Sequence, residues 1–591
     1  MKKFLAFILV VFVATSLLFA INEQRVISVD SSLYKEIETL YILQGKALPS
    51  SSGPWSEGEM RDMLSLLDRE ALGENGKALY DKILDELTVK PTLAYSDNIS
   101  LDFGLELNGE GYFHTNTEDF IDEDDWVHGF TSRKAPVKFT FEAWPVENFY
   151  GYFEFTLQDN IGYNVGYKGQ DGRYNLLYKN AFNINIPIVN ALLFSMPQKD
   201  GSDHLFADFD WTVPYRAFVS VGGEHWNIMA GRDKLSWGNG ESGNLMLSSS
   251  FPSHNLVRFN TYFNSFKYSL VTSFFPGVDS EESQYQSLEG YKALIVHRLE
   301  FDLFSNKLNI TINEACMYWS SKAKPNFSLM QINPFGFMHN EYVAGNGNSL
   351  LVFEANYTPL NGVNVYAQYA VDEFAGPGEG RTNPAATGVL LGIKGATESV
   401  GGGILRGSLE FVKTDPLLYI RGLHYVDEPT KNYGYDAFFR PISSDRIILQ
   451  SRFTTYPYGN DTIYYGAKAE YEIPSKAKFN LGLSYLIRGS MSNPDAYWHQ
   501  YNDEYNDAPD VETPTTFNPF DPSDYDATTN TVKREHGVEK SFIITLGGEY
   551  NILPSLSVYA VADCLFVQNV NNITGKNGND LQLSFGLSYS L

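Results

Sequence analysis

The chain is 591 residues long, 43% hydrophobic and 15% aromatic, with a formal net charge of -27. That acidity excludes a broad phosphate-binding face, which needs surplus Lys and Arg, so nucleic acid is not an expected partner. With only Cys316 and Cys564, one optional bridge is the most the chain can form, and a disulfide framework is excluded.

Residues 1–20 read as a secretory signal peptide: Lys2 and Lys3 precede an apolar run from Phe4 to Val13, and small or apolar residues continue to a cut near Ala20. The mature chain is expected outside the cytoplasm. No cysteine follows the run, which disfavours a lipid-anchored start. No later apolar stretch is long enough for a transmembrane helix, so any membrane span must be made of strands. The mean hydropathy of -0.24 does not decide this, because a barrel hides its apolar residues at every second position.

Residues 21–95 are expected to form a small periplasmic helical segment. Leu33, Ile37, Leu40 and Tyr41 recur at helical spacing, as do Met60, Met63, Leu64 and Leu67, then Leu79, Ile83 and Leu87. Ser56 and Glu59 form a capping box for the second helix, and Pro49 to Pro54 reads as a linker. Such a segment buries little core alone and is expected to dock on the periplasmic mouth of the strand-rich body.

From about Ile99 the period becomes two, and residues 96–591 read as an all-β transmembrane outer-membrane β-barrel. Hairpins are expected from Lys138 to Gln158 around Pro145 to Asn148, and from Leu351 to Asp372 around Pro359 to Gly362. Further tight turns fall at Pro474 to Lys476 and Asn551 to Ser555. Long polar segments alternate with them at Asp159 to Pro214, Ser320 to Asn348 and Gly489 to Lys540. Short periplasmic turns opposite long extracellular loops, with aromatic girdles, are the barrel pattern. The strand number is roughly 18, with 20 as the alternative, since an even count returns both ends to one side. Thr414 to Asp445 reads as one more hairpin or a single loop. The last strand places Leu581, Leu583, Phe585, Leu587, Tyr589 and Leu591 on one face, toward lipid of the outer membrane.

No ligand spacing among the ten histidines, no CxxC and no HExxH pattern points to a metal, and no cofactor or catalytic residue is indicated. A non-enzymatic role is expected. Two acidic, aromatic loops are more informative. Glu118 to Trp126 supplies Asp124 and Trp126. Asp495 to Asp526 supplies Tyr497, Trp498, Tyr501, Asp503 and Glu504. Rings of this kind stack on sugar faces while carboxylates accept hydroxyl hydrogen bonds, which makes these seven the polysaccharide-binding candidates. The plainer reading is a solvated acidic loop, and oxygen ligation of calcium is a third. Inside the barrel, Arg216, Arg258, Lys267 and Arg298 fall among carboxylates such as Glu142, Glu154, Glu354 and Asp372. If they pair, the lumen is a plug; if not, it is a charged pore. Pairing is the default, with Arg298, Glu354 and Asp372 as lumen candidates.

The segment Gly231 to Pro252, GRDKLSWGNGESGNLMLSSSFP, resembles the region of capsule-assembly Wzi-family outer-membrane proteins in which a Gly-Arg strand end leads into a Trp-Gly turn and a Leu-rich stretch. Asn333, Pro334, Phe335 and His339, and then Tyr357 to Phe374, are similar to further family features in the same order. Departures are Asn239 where the family commonly shows Pro, and Leu591 in place of the terminal aromatic read by the barrel-assembly machinery. The resemblance implies an 18-stranded barrel with a periplasmic helical bundle, and attachment of capsular or extracellular polysaccharide at the cell surface. Gly231, Arg232, Trp237, Gly238 and Gly240 read as a structural turn at the extracellular end of a strand, with Trp237 packed or at the membrane interface. The alternative function is an outer-membrane porin or uptake channel.

Overall fold

The computed structural model describes residues 23–88, 100–116, 119–120, 126–128, 132–146, 148–159, 215–278, 288–320, 347–373, 386–399, 401–420, 434–439, 450–489 and 538–591, with short strands at 94–95, 184–185, 209–211, 525–526 and 531–532. The signal-peptide residues lie outside this set.

Three helices open the described chain: α1 Ser32–Leu43, α2 Glu57–Ser65 and α3 Glu74–Leu87. The residues at helical spacing are the buried ones, with Ile37, Leu40, Met60, Leu79 and Ile83 fully covered in one small core. Ser56 caps α2 by accepting from the Glu59 amide at 3.2 Å. The second half of the expected capping box is replaced, because the Glu59 carboxylate binds Lys267 of the barrel instead.

The rest is a closed antiparallel barrel of eighteen strands, and among the described residues no helix is long and apolar enough to cross a membrane. In chain order they begin with β1 Ser100–His114, β2 Val137–Val146, β3 Phe149–Asp159, β4 Ala217–Gly223, β5 Trp226–Asp233 and β6 His254–Phe263. Then come β7 Phe266–Val278, β8 Leu288–Leu303, β9 Leu308–Ser320, β10 Gly347–Leu360, β11 Val363–Glu373 and β12 Ala386–Ser399. The last are β13 Gly403–Thr414, β14 Thr462–Ile473, β15 Ala477–Arg488, β16 Glu539–Leu553, β17 Leu556–Gln568 and β18 Asn577–Ser590. Each pairs with the next, and β18 closes on β1 with Leu583 opposite Phe113 and Leu587 opposite Gly109. Closure removes every edge, as a sheet in hydrocarbon requires.

The expected hairpins are present at β2–β3, β10–β11, β14–β15 and β16–β17. Among the described residues after Thr414 and up to 445, no further barrel strand is present. Asp436–Phe439 instead pairs with Gln450–Phe453 in a separate two-stranded piece of the β13–β14 connection. Tight turns gather at one mouth and longer connections at the other, and both the helical segment and the C-terminus lie at the short-turn mouth. The Ala47 amide donates to Asn306 of the β8–β9 turn at 2.7 Å, and the Gly362 amide to Ile42 at 2.7 Å.

Alternation sorts the faces. Phe585, Leu587, Leu546, Leu409 and Leu391 are exposed on the outer wall. Their neighbours in sequence, among them Ser584, Glu410 and Leu390, are buried inside. Cys316 and Cys564 are both free thiols.

Candidate functional site

The inner wall meets two segments that enter the lumen from opposite mouths. From the short-turn mouth, residues 49–56 run inward between α1 and α2. From the long-loop mouth, the β5–β6 connection, residues 234–253, turns inward instead of spreading outside. They meet in mid-lumen as a two-residue antiparallel ladder, Ser236 opposite Gly53 and Trp237 opposite Ser52. The Gly238 amide donates to Ser51 at 2.9 Å. Trp237 is fully buried, and Leu245, Met246, Leu247 and Phe251 pack around it with Tyr419, Tyr435 and Tyr456 from the β13–β14 connection.

The Trp-Gly motif follows the long-loop end of β5 but turns inward, and of the two places expected for Trp237 the structure has the packed one, in the middle of the plug. The reason is hydrophobic: the stretch after it carries too many large apolar side chains to remain in water. The glycines keep a structural role. Gly238 has φ +129°, a left-handed angle, and a Cβ there would strike Gln368 and Asn244. Gly240 approaches Gly243 too closely for any side chain, and Gly231 lies within β5 against the β4 backbone. Arg232 sits near the end of β5, where its Nε donates to Asn255 at 2.8 Å.

Most lumenal charges among the described residues are paired; buried Arg258 instead donates to the Pro54 carbonyl of the inserted segment. Arg298 Nη1 donates to Glu354 at 2.6 Å, and Arg298 Nε to Glu300 at 3.0 Å. Glu300 in turn accepts from Ser50 at 3.0 Å and Ser52 at 2.6 Å, which ties the inserted segment to the wall. Asp372 accepts from Asn348 at 3.3 Å. Of the other carboxylates considered, Glu142 accepts from Arg25 at 3.2 Å, and Glu154 lies 3.7 Å from Lys138. Arg216 binds Asp233 at 2.7 Å. Lys394 of β12 lies 3.0 Å from both Glu38 of α1 and Glu241 of the inward β5–β6 connection. Burial opposes ionisation of Glu241, but Lys394 and then Lys468 override it and hold the carboxyl well below the usual range. One ammonium thus bridges a segment from each mouth.

The sugar-site candidates divide. Tyr497, Trp498, Tyr501, Asp503, Glu504 and Asp124 lie outside the described residues. Trp126 is described, and its ring is occupied internally: it is 4.8 Å from the His114 ring and 5.1 Å from the Arg133 guanidinium. It belongs to a knot over the inner wall of β1, not to a free stacking platform.

Sequence reasoning missed the inserted serines of residues 50–52, because a Ser-rich stretch between prolines looks like any linker. It also missed Glu110, Tyr112 and Tyr559 of the knot. The only available signal for the plug was the apolar density at Leu245 to Leu247 and Phe251 in a segment placed between strands.

The chain matches no model of a known protein family and no curated protein sequence. Among solved structures it is similar to Wzi of Escherichia coli, described as an outer-membrane, carbohydrate-binding β-barrel involved in group 1 capsule assembly. That likeness covers 95% of this chain and 99% of that one, with TM-score 0.55 and 13% identity. The outer-membrane channel DcaP of Acinetobacter baumannii aligns over 85% of this chain and all of its own length, with TM-score 0.36 and 7% identity. OpdK of Pseudomonas aeruginosa, solved with vanillate, aligns over 84%, with TM-score 0.39 and 8% identity. The last two are too distant to carry weight, and the first establishes fold alone: this chain has the fold of an outer-membrane β-barrel.

Proposed function

We propose that this protein is a non-enzymatic surface anchor that retains capsular or extracellular polysaccharide at the outer membrane, in the manner the Wzi-family resemblance implies. In this reading the long loops face outward, the helical segment lies in the periplasm, and residues 1–20 are removed on export. The observation that carries it is the Ser52–Trp237 ladder. A lumen closed by segments joined from both mouths leaves ligand binding to the outer loops. The Wzi structure, described as carbohydrate binding, supports the same assignment. Affinity would come from many weak contacts, rings of Trp498, Tyr497 and Tyr501 on sugar faces with Asp503 and Glu504 accepting from hydroxyls. Many barrels holding one polymer would multiply it.

Deleting Asp495 to Asp526 tests this. Cell-bound polymer is expected to fall while barrel abundance stays constant, and unchanged retention removes the loop from the hypothesis. Planar-bilayer recordings separate the anchor from a porin or uptake channel. The anchor is electrically silent, whereas a porin gives discrete steps that scale with salt.

A further inference from the structure

The lumen is not filled evenly. On the wall from β7 to β11 the inward side chains of Ser269, Arg298, Asn313, Val352 and Asn364 are all at 0% exposure, pressed against the inserted segments. The wall from β14 to β17 differs. Lys468, Gly482 and Thr545 stand opposite one another in register, and so do Glu470, Asn480, Gly547 and Val561. Glu470 binds Arg406 inside the barrel, which fixes this row as inward-facing. Yet Asn480 and Lys468 are exposed, and Gly482, Thr545, Gly547 and Val561 are half-exposed, within the body of long strands. The alternate residues Leu481, Leu483 and Leu546 cover the lipid side, so the exposure is to the lumen. It continues through Glu549 and Ser557 to the short-turn mouth. A cleft therefore runs between the plug and this wall.

Toward the long-loop mouth the cleft is shut by an inward apolar cluster of Phe120, Leu565, Val567 and Val570. On its β1 side, level with Glu549, stands a polar knot. Glu110 of β1, buried, accepts from the hydroxyls of both Tyr112 and Tyr559. Residues 133–135 fold onto them. The Lys134 amide donates to Glu110 at 2.9 Å, Arg133 lies 3.9 Å over the Tyr112 ring, and the Lys134 ammonium lies 4.4 Å over the Tyr559 ring. Asn108 donates to the Ala135 carbonyl at 2.8 Å. Gly586, between Tyr559 and Glu110 in register, leaves the room that the Tyr559 side chain occupies; a Cβ there would come within 2.6 Å of its hydroxyl.

We propose that this cleft is a vestibule for small hydrated solutes, open at the short-turn mouth, bounded on its β1 side by the Glu110–Tyr112–Tyr559 knot and ending blind against the Phe120–Leu565–Val567–Val570 cluster. Its lining suits that class. Asn480, Thr545 and Glu549 offer amide, hydroxyl and carboxylate, which can replace water around a small cation or polyol without selecting one strongly, while Lys468 is held by the Glu241 carbonyl at 2.6 Å.

The test uses full-length protein in which Cys316 and Cys564 are replaced by Ala. Asn480→Cys is compared with Thr311→Cys, whose parent side chain is inward but buried at 1%. The probe is a water-soluble cationic methanethiosulfonate, with Thr545→Cys as the substitute if N480C does not reach the membrane. N480C is expected to react many-fold faster than T311C, and equal rates overturn the vestibule. In planar bilayers the protein is expected to be silent, because the vestibule ends blind against the apolar cluster, and discrete KCl steps overturn that closed end.

Discussion

The indole Nε1 of Trp237 donates to the carbonyl oxygen of Gly53 at 3.1 Å, joining two segments that enter the barrel from opposite mouths. The bond lies in a fully buried environment, where an unpaired indole N–H is costly. It makes the plug one unit: the helical segment cannot leave its mouth without opening the core built on the other side.

Trp237→Ala should therefore destabilise the barrel by about 3–5 kcal/mol, the range for emptying a large aromatic site in a packed core. Trp237→Phe, which keeps the ring volume in part and loses the donor, should cost less. Urea unfolding in detergent, followed by heat-modifiable mobility, measures both. In W237A, proteolysis of residues 23–88 should also accelerate, because the ladder that holds Ser52 and Gly53 is lost.

Arg298 sits between Glu300 and Glu354 at 0% exposure. Arg298→Met alone leaves buried carboxylates without their cation and should cost about 3–5 kcal/mol. Adding Glu354→Gln should recover part of that loss, with a coupling energy above about 1 kcal/mol in a double-mutant cycle. Strict additivity would mean that the two side chains act independently despite their contact.

The docked helical segment should respond to acid in a defined direction. Burial pushes the Glu57 carboxyl above its ordinary value of 4.5, against the opposing pull of Arg61 and Arg25. A carboxyl whose folded pKa is raised gives stability that is full below its unfolded value and is lost as pH rises through the folded value. Asp62 and Glu86 are raised by burial with the same sign. Glu70 and Asp81 are lowered by Lys77 and Arg69, but they are exposed and yield to salt. At high salt, proteolysis of residues 23–88 should be slower near pH 4.5 than at pH 7. Glu57→Gln should flatten that dependence.

Glu398, at the end of β12, accepts from the amides of Gly73 at 2.9 Å and Asn75 at 3.2 Å, at the start of α3. The barrel thus supplies the cap that Gly73 cannot, since it has no side chain. Glu398→Ala should destabilise docking of α3 by about 0.5–2 kcal/mol, as loss of an N-terminal cap does. Hydrogen exchange at residues 73–77 should accelerate while β12 and β13 stay protected.

By itself the sequence determined the barrel and the three helices, because each rests on local periodicity. Lipid selects every second residue in strands such as Thr462–Ile473, and a small core selects every third or fourth in Ser32–Leu43. It also placed Arg298 and Glu354 together on the inner wall, since alternation fixes the face of each. Only the tertiary structure decided what fills the lumen. Trp237 and Gly53 are 184 positions apart, and nothing local to PSSSGP or to LSWGNG indicates that they meet. The choice between an outward loop and an inward one depends on whether Leu245, Met246, Leu247 and Phe251 find apolar partners across the barrel. Those partners, Tyr419, Tyr435 and Tyr456, come from a connection more than a hundred and fifty residues away, brought close by closure of the sheet.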